Sequence, residues 1–589
     1  MCGIIGYIGS HDAAPILLKG LKHLDYRGYD SAGMAVLGNG IIIKKDMGKI
    51  EEIEKKLNFE NMSGEIGIAH TRWATHGKVT QLNAHPHISN NKKISVVHNG
   101  IVENFYELKD FLMRNGFTFY SQTDTEIIPN LIEFEMREAK SFEEACKSAL
   151  KKIEGNYAVL VIYEPEEKII AARKGSPLLL GISDHGIFAA SDIPAFLEHT
   201  KKVVYLYDND FIVITKNGFK AYNLVSMNEV KRPIDTIEWD MEKARKGNFD
   251  HFMLKEIMEQ VETIQRAASQ YDEMILFVTD AMKNAGGIFF VACGSSYHAC
   301  LSASYVMSKV CKLHVNVVLA SEFPNYEHFL TDKTLVIAVS QSGETIDVLD
   351  AVKVAKEKNC KIISIVNVMG SSLTRCSDKF LLLNSGPEIC VLSTKTYTSQ
   401  IALLDLITYA LNGNIENGKR KLKYLMNVTY NLTSATTRGK LKKLAEDLKN
   451  KEHLFCIGRG QQYATALEAA LKIKEVSYIH AEAFAGGELK HGTIALIENG
   501  TPCIVFVSEE NEKNIISNAI ELKSRGAYII GVSPKNNEVF DFWIKVPEAN
   551  SENPIVQIIP IQILAYQLAL LRGYDPDKPR NLAKSVTVK

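Results

Sequence analysis

The stretch Met1-Cys2-Gly3-Ile4-Ile5-Gly6 opens the chain. If the initiator methionine is trimmed away, Cys2 carries both a thiol and a free α-amino group. The thiolate is the reactive form of cysteine, and an α-amino group with a pKa of roughly 7.7–8.0 can accept the thiol proton. The Gly-Ile-Ile-Gly segment predicts a short buried strand that holds this terminus inside the fold. Position alone favours an ordinary buried cysteine, whereas the motifs farther along the chain favour a nucleophile.

Short β-branched runs, which are typical of strands, continue to about residue 222. Examples are residues 41–43, 95–97 and 158–162, separated by turn signals such as Gly38-Asn39-Gly40. Helices are predicted near residues 15–24 and 125–138. Strands that are covered by helices predict a layered α+β domain.

Three polar clusters interrupt these strands, and the first runs from His70 to Gly77. Arg72 in this run could form a bidentate pair with a carboxylate, and Trp73 could cover a small polar ligand. A surface strand end with an aromatic plug fits the same residues equally well.

The second and third clusters also allow two interpretations each. Asn99-Gly100 between apolar runs is first of all a hairpin signal, but an Asn amide and a Gly N–H can also form an oxyanion hole. Asp124 could cap a helix, which is the commoner role, or pair with the ammonium group of a substrate.

Together with the run Tyr26–Gly33 (Tyr-Arg-Gly-Tyr-Asp-Ser-Ala-Gly), these motifs resemble the class-II glutamine amidotransferases. The resemblance implies an N-terminal-nucleophile glutaminase, an α+β four-layer sandwich of two sheets between helices. Cys2 would attack the side-chain amide of glutamine, with its own amino group as base. The other implied roles are oxyanion stabilisation by Asn99 and Gly100, binding of the α-carboxylate by Arg72 and of the α-amino group by Asp124, and closure of an ammonia channel by Trp73.

The composition of the whole chain is that of a soluble globular protein. Of the 589 residues 46% are hydrophobic and 23% charged, and the net charge is −1 without a basic stripe, which argues against nucleic acid as a partner. No unbroken apolar run reaches the ~18 residues of a membrane span. The ten cysteines form no C-x-x-C pair and no zinc cluster. We therefore expect reduced thiols, a cytoplasmic protein, no metal and no cofactor.

The last 340 residues or so contain a repeat. Residues 287–296 predict a buried strand that runs into a Gly-Ser turn and a helix, and residues 453–460 repeat that layout. Alternating strands and helices predict two related α/β domains with parallel sheets.

Hydroxyl-rich loops follow two strands of the first copy, at Gly294-Ser295-Ser296 and at Ser340-Gln341-Ser342-Gly343-Glu344-Thr345. Each loop alone fits plain helix capping, but two such loops at helix N-termini favour a phosphorylated ligand. The second copy has neither the second serine-rich loop nor an equivalent of Ser295-Ser296, and no matching phosphate site is predicted there.

A helix predicted near residues 464–476 in the second copy has Glu468, Lys472 and Glu475 along one face. A surface Glu–Lys pair explains this spacing as well as a catalytic group does. His491 follows, and the chain ends in a tail that carries Lys584. A lysine and a carboxylate in one pocket suit Schiff-base and proton-transfer chemistry on a sugar.

This half resembles the paired sugar-isomerase domains, and the order of the two halves resembles glutamine-dependent synthases of amino-sugar phosphates. The resemblance implies fructose-6-phosphate as the second substrate, a homodimer, and the first step of hexosamine biosynthesis. His491 would open the sugar ring, Lys584 would form a Schiff base, and Glu475 would move a proton between C1 and C2. The other implied roles are phosphate binding by Ser296, Ser340, Gln341, Ser342 and Thr345, and support by Lys472 and Glu468.

The predicted domain limits are residues 2–225 for the glutaminase, 226–260 for a linker, 261–425 and 426–571 for the two sugar-isomerase domains, and 572–589 for a tail at the sugar site. Three other functions compete with this interpretation. A deglycase of the same architecture would act on another sugar phosphate. A sugar-sensing regulator would not need Cys2, Glu475 and Lys584, and an asparagine synthetase would need an ATP-binding domain.

Overall fold

The computed structural model describes residues 2–73, 77–237 and 246–587. The chain forms two compact units, one of residues 1–245 with 583–589 and one of residues 246–582. Each unit has its own sheets and its own apolar core.

The first unit contains two antiparallel sheets within the described residues. One has the order β15-β11-β9-β10-β1-β4-β2-β3 and the other the order β14-β13-β12-β8-β7-β6-β5. The strands are β1 Gly3–Gly9, β2 Ser31–Gly38, β3 Gly40–Met47, β4 Ile66–Arg72, β5 His87–Ile88, β6 Ile94–Gly100, β7 Tyr157–Tyr163, β8 Glu166–Lys174, β9 Leu179–Ser183, β10 Gly186–Ala190, β11 Lys202–Tyr205, β12 Asp210–Thr215, β13 Gly218–Asn223, β14 Glu229–Val230 and β15 Asp235–Thr236. The helices are α1 Ala13–Leu24, α2 Ile50–Leu57, α3 Phe105–Arg114, α4 Ile127–Glu135 and α5 Phe142–Lys151.

Both faces of β1 are covered, which explains why all seven of its residues are buried. Ile5 and Tyr7 pack into the core beneath α1, and Ile4 and Ile8 pack into the core between the two sheets. A third core lies between the second sheet and helices α3 to α5. The layers are therefore helix, sheet, sheet and helix, and the predicted four-layer sandwich is confirmed.

The second unit contains two parallel sheets of five strands each, and they share one topology. Their orders are β17-β16-β18-β19-β20 and β22-β21-β23-β24-β25. The strands are β16 Gly287–Ala292, β17 Asn316–Leu319, β18 Thr334–Ser340, β19 Lys361–Val366, β20 Lys379–Leu382, β21 His453–Gly458, β22 His480–Ala485, β23 Pro502–Phe506, β24 Tyr528–Ser533 and β25 Phe542–Lys545. The helices are α6 Phe252–Ala268, α7 Asp272–Asn284, α8 Gly294–Val306, α9 Ile346–Glu357, α10 Ser372–Cys376, α11 Lys395–Leu411, α12 Ile415–Leu432, α13 Ala435–Leu448, α14 Gln461–Ser477, α15 Glu512–Lys523 and α16 Asn553–Leu571. The repeat predicted from the sequence is thus confirmed.

One apolar core runs through both copies of the repeat. It includes Phe290 and Ile337 of the first sheet, Ile504 and Ile530 of the second, and most of α16. Residues 550–571, which include α16, are long and apolar enough to cross a membrane, although no unbroken apolar run of that length was found in the sequence. Within the protein 83% of the most apolar 18-residue window of this segment is buried, as expected for a core helix.

The predicted linker, residues 226–260, contains the short strands β14 and β15 and the beginning of α6. Residues 238–245 of this range lie outside the described residues.

Candidate active sites

Cys2 precedes β1 and lies beside the end of β4. The two strands are antiparallel with Gly3 opposite Thr71, so the register brings Trp73 next to the thiol. The Trp73 N–H donates to Cys2 Sγ at 3.2 Å, and Sγ lies 3.4 Å from the Trp73 carbonyl oxygen. Burial raises the pKa of the Cys2 thiol, and the Trp73 N–H and the Arg72 charge act in the opposite direction. Residues 74–76 of the first polar cluster lie outside the described residues.

The Asn99 amide faces Cys2, and its Nδ2 donates to the Cys2 carbonyl oxygen at 2.9 Å. His70 Nε2 lies 3.1 Å from Asn99 Oδ1 and 3.1 Å from the His98 carbonyl oxygen. Because both partners are acceptors, Nε2 must carry the ring proton. This tautomer holds Oδ1 toward His70 and the NH₂ group toward Cys2, which is the orientation an oxyanion donor needs.

Gly100 ends a strand, so the alternative of an Asn-Gly hairpin turn is wrong. Strand β6 pairs with β7 along its length, up to Gly100 opposite Tyr157. The φ of Gly100 is +138°, and a Cβ there would lie 1.9 Å from the Asn156 carbonyl oxygen. Glycine is therefore required at this position.

Arg72 and Asp124 are both buried near the thiol, with 3% and 5% of their surfaces exposed. Burial lowers the pKa of Arg72, and the nearby charges of Cys2 and Asp124 raise it. Asp124 caps no helix in the structure. Its Oδ2 instead accepts the Val102 N–H at 2.8 Å, just beyond the Asn99-Gly100 pair. A cation and an anion are thus available close to Cys2 to bind the two charged ends of an amino acid.

Four buried histidines form a cluster beneath this site, and the sequence analysis missed His85 and His87. The rings of His70 and His85 stack with centroids 4.0 Å apart, and those of His85 and His87 lie 4.9 Å apart. Burial lowers the pKa of all four histidines, to about 3 for His70. The cluster is therefore neutral near pH 7.

The free energy of unfolding of the first unit is expected to fall as the pH drops below about 6.5. The unfolded chain binds protons at these histidines near pH 6.5, while the folded chain excludes them down to about pH 3 for His70. Each histidine contributes a slope of up to about 1.4 kcal/mol per pH unit. Hydrogen exchange of the β6 amides in urea, at several pH values, measures this slope.

His87→Gln removes one titrating ring. The slope of the free energy of unfolding against pH should then fall by up to about 1.4 kcal/mol per pH unit, the contribution of one proton. His328→Gln is the matched control, because the His328 side chain is 82% exposed. A slope that is equal in the wild type and in His87→Gln would contradict the prediction.

In the second unit, β16 and β18 are adjacent parallel strands, so their carboxyl ends open at the same edge of the sheet. Helix α8 begins there at Gly294, and α9 begins after Thr345. Ser340 Oγ accepts the Gly343 N–H at 3.1 Å and lies 3.2 Å from Thr345 Oγ1. Two helix N-termini and several hydroxyls therefore meet at one edge, an arrangement that favours a phosphate.

The remaining predicted phosphate ligands lie on the same two loops. Ser342 Oγ accepts the Glu344 N–H at 3.1 Å, and the Gln341 carbonyl oxygen accepts the Asn367 N–H at 3.0 Å. Ser296 Oγ accepts from Gln400 Nε2 at 2.9 Å. These contacts fix the shape of both loops.

Helix α14 brings its Glu–Lys–Glu face to the first turn of α8. Glu468 and Lys472 are 0% and 1% exposed, so the alternative of a surface ion pair is wrong. Lys472 Nζ lies 2.7 Å from Glu475 Oε2 and 3.4 Å from Glu468 Oε1, and it donates to Ser295 Oγ at 3.1 Å. Burial lowers the pKa of Lys472, but the two carboxylates outweigh it and leave the pKa above its usual value. Lys472 is therefore a fixed cation that orients Glu475.

His298 is a member of this cluster that the sequence analysis missed. Its Nδ1 lies 2.8 Å from Glu468 Oε2, and Ser295 Oγ donates to Glu468 Oε1 at 2.8 Å. Glu468 is held by the first copy although it belongs to the second. In the sequence, this role of His298 is indicated only by its position one helical turn after Ser295.

His491 and Lys584 are the two remaining residues of the predicted sugar site. His491 ends a short 3₁₀ helix after β22 and is exposed, and its side chain makes no hydrogen bond or ion pair within the described residues. Lys584 lies in residues 583–589, which belong to the first unit.

Comparisons with known proteins identify a domain family in each half of the chain. A glutamine amidotransferase domain model matches residues 70–198, and an SIS domain model matches residues 281–410 and 447–572. Among solved structures, the C-terminal domain of glucosamine-fructose-6-phosphate aminotransferase from Francisella tularensis is 32% identical, with a TM-score of 0.52. It covers 56% of this chain and 99% of its own.

Two curated relatives match over the full length of both chains. Each bears the name glutamine--fructose-6-phosphate aminotransferase [isomerizing], and they are 46% identical in Thermococcus kodakarensis and 42% identical in Clostridium acetobutylicum. With the sandwich, the repeated parallel sheets and the two sites described above, the chain belongs to the family of isomerising glutamine–fructose-6-phosphate aminotransferases.

Proposed function

We propose that the protein converts glutamine and fructose-6-phosphate into glutamate and glucosamine-6-phosphate, the first step of hexosamine biosynthesis. The observation that carries the proposal is the buried cluster of Ser295, Lys472 and Glu475, which joins a hydroxyl-rich anion site to a lysine-oriented carboxylate. The same chain has a half-buried thiol beside an oriented amide donor. One chain thus carries groups for ammonia release and for sugar chemistry.

In the first half-reaction, Cys2 Sγ attacks the side-chain amide carbon of glutamine. The α-amino group of Cys2, freed by removal of Met1, takes the thiol proton and passes a proton to the leaving ammonia. Asn99 Nδ2 and the Gly100 N–H stabilise the oxyanion. Arg72 and Asp124 hold the α-carboxylate and the α-amino group, and water then releases glutamate from the thioester.

In the second half-reaction, the hydroxyls of Ser296, Ser340, Ser342 and Thr345, with Gln341, hold the sugar phosphate. His491 opens the ring and Lys584 forms a Schiff base with the C2 carbonyl, which ammonia then displaces. Glu475 moves a proton from C1 to C2, which converts the ketose skeleton into the aldose. Trp73 closes the path of ammonia between the two steps.

The test is an incubation with fructose-6-phosphate and glutamine labelled with ¹⁵N in the side-chain amide. Mass spectrometry is expected to find hexosamine 6-phosphate that contains the label. Release of glutamate without any amino sugar would overturn the proposal. Consumption of an added amino-sugar phosphate instead of its formation would favour the deglycase alternative.

We infer that the protein is a cytoplasmic homodimer in which His491 serves the sugar site of the neighbouring subunit. Two observations support this inference: His491 is exposed, and its side chain makes no hydrogen bond or ion pair within the described residues. An isologous two-fold interface would supply each site with the partner's histidine. The ten free cysteines agree with a reducing compartment.

Mixing two inactive variants, His491→Ala and Lys584→Ala, is expected to restore synthase activity. A mixed dimer has one site with both defects and one site with neither. About half of the dimers are mixed after random reassembly, so roughly a quarter of the wild-type activity should return. The assay is amino-sugar formation after dissociation and reassembly. If verified mixed dimers remain inactive, the histidine acts within its own chain.

A further inference from the structure

The second sheet of the second unit has the same strand order as the first, and it therefore has the same topological crevice. In such sheets, ligands bind beyond the carboxyl ends of the strands where the order reverses. In the first copy this place lies beyond β16 and β18, at the hydroxyl-rich loops. In the second copy it lies beyond β21 and β23, where a cavity of about 730 Å³ opens. This volume is in the range of small-molecule sites.

Polar side chains that are already fixed form the walls of this cavity. Gln462 Oε1 accepts from Asn511 Nδ2 at 3.0 Å and from Ser508 Oγ at 3.2 Å, and all three side chains are at least 92% buried. On another wall, Glu548 accepts the backbone N–H groups of Glu509 and Asn550 at 3.0 and 3.1 Å. The cavity is therefore shaped before any ligand enters.

Asp405 of α11 lines the cavity, and one of its carboxylate oxygens has no protein partner within the described residues. The residue is 1% exposed, and its Oδ2 makes no hydrogen bond within the described part of the chain. Burial and the nearby Glu552 carboxylate raise the pKa of Asp405. A buried polar atom without a partner is costly, so a ligand that brings a hydroxyl to Asp405 is favoured.

The loop that follows β23 disfavours a phosphate. The first copy reads Val339-Ser340-Gln341-Ser342 at this place, and the second reads Val507-Ser508-Glu509-Glu510. Two carboxylates thus replace an amide and a hydroxyl. Glu510 forms an ion pair with Lys309 at 2.7 Å. Two further cations line the cavity: Lys421 lies over the Tyr409 ring, and Arg459 donates to the Asn518 side chain. Tyr305, which is 38% exposed, also lines the cavity and offers an aromatic ring against which a sugar ring can pack.

We propose that this cavity is a second binding site, separate from the phosphate-binding loops, and that it takes a sugar ring without a phosphate group. Amide and hydroxyl groups of the walls bind the ring hydroxyls, and Asp405 accepts one of them. The repeat then carries two carbohydrate crevices at equivalent positions: one for a sugar phosphate and one for an unphosphorylated sugar.

The test is a titration of the full-length protein with D-glucose, D-glucosamine and N-acetyl-D-glucosamine, followed by saturation-transfer NMR. Asn514→Trp places a large ring at the exposed rim of the cavity and is expected to weaken binding at least about tenfold. Asn536→Trp, on an exposed loop that does not line the cavity, is the matched control and should bind as the wild type does.

Asp405→Leu removes the acceptor at similar volume and should also weaken binding about tenfold. Circular dichroism checks that each variant is folded, and Asn514→Trp keeps the test valid if Asp405→Leu is not. Excess inorganic phosphate should not displace the sugar. The proposal is overturned if none of the three sugars binds, if Asn514→Trp binds as tightly as the control, or if phosphate competes.

Discussion

Replacing Cys2 with alanine is expected to abolish glutamine hydrolysis and glutamine-dependent synthesis. The variant loses the sulfur atom proposed to attack the amide, while Asn99 and Gly100 remain to bind the oxygen. The second unit should still convert fructose-6-phosphate slowly to glucose-6-phosphate, because its groups lie on other residues. Glutamate release and aldose formation, measured on the same sample, separate the two activities.

The control for Cys2→Ala is Cys311→Ala, which removes another half-buried thiol and should leave glutamine hydrolysis intact. Glutaminase activity at the wild-type level in Cys2→Ala would refute the N-terminal-nucleophile assignment.

Glu475→Gln is expected to have the opposite pattern, with aldose product lost and glutamine hydrolysis retained. The change keeps the shape and a hydrogen-bond acceptor for Lys472, which lies 2.7 Å from the carboxylate, but it removes the proton carrier. Loss of a general base typically costs about 10²–10⁴-fold. The measurement is the rate of amino-sugar formation together with the rate of glutamate release.

Glu416→Gln is the control for a helical glutamate, since that side chain is 74% exposed. If Glu475→Gln makes amino sugar near the wild-type rate, another carboxylate transfers the proton. Glu488 and Glu468 are then the next candidates. Glu468 has its oxygens bound by Ser295 and His298, so Glu488 would be tested first.

The fold could be predicted from the sequence because its signals are local. The β-branched runs and the recurrence of residues 287–296 at 453–460 identify strands and a duplicated α/β unit without knowledge of distant contacts. Local signals failed at Asn99-Gly100, where the dipeptide typical of a hairpin turn is paired as a strand. There the sheet and the cramped space around Gly100 override turn propensity.

The sites were predicted only where residue type and spacing carry the chemistry. Glu468, Lys472 and Glu475 were found because they share one helix face, but their burial depends on α8, which is distant in sequence. His85 and His87 were missed because a neutral buried histidine leaves no pattern in the sequence. The second-copy cavity was missed because its lining includes many amides and carboxylates from segments far apart in the chain, which form no motif in the sequence.

One apolar core of the second unit spans both copies of the repeat, and this has a consequence for how that unit unfolds. Phe290 and Ile504 belong to different sheets but to one core, so each copy of the repeat needs the other to bury this part of its apolar surface. Heating should therefore melt both copies in one cooperative transition, with equal calorimetric and van't Hoff enthalpies for that unit. If the chain is cut between the copies, each half is expected to aggregate by itself, and the two halves should become soluble only when they are refolded in one mixture.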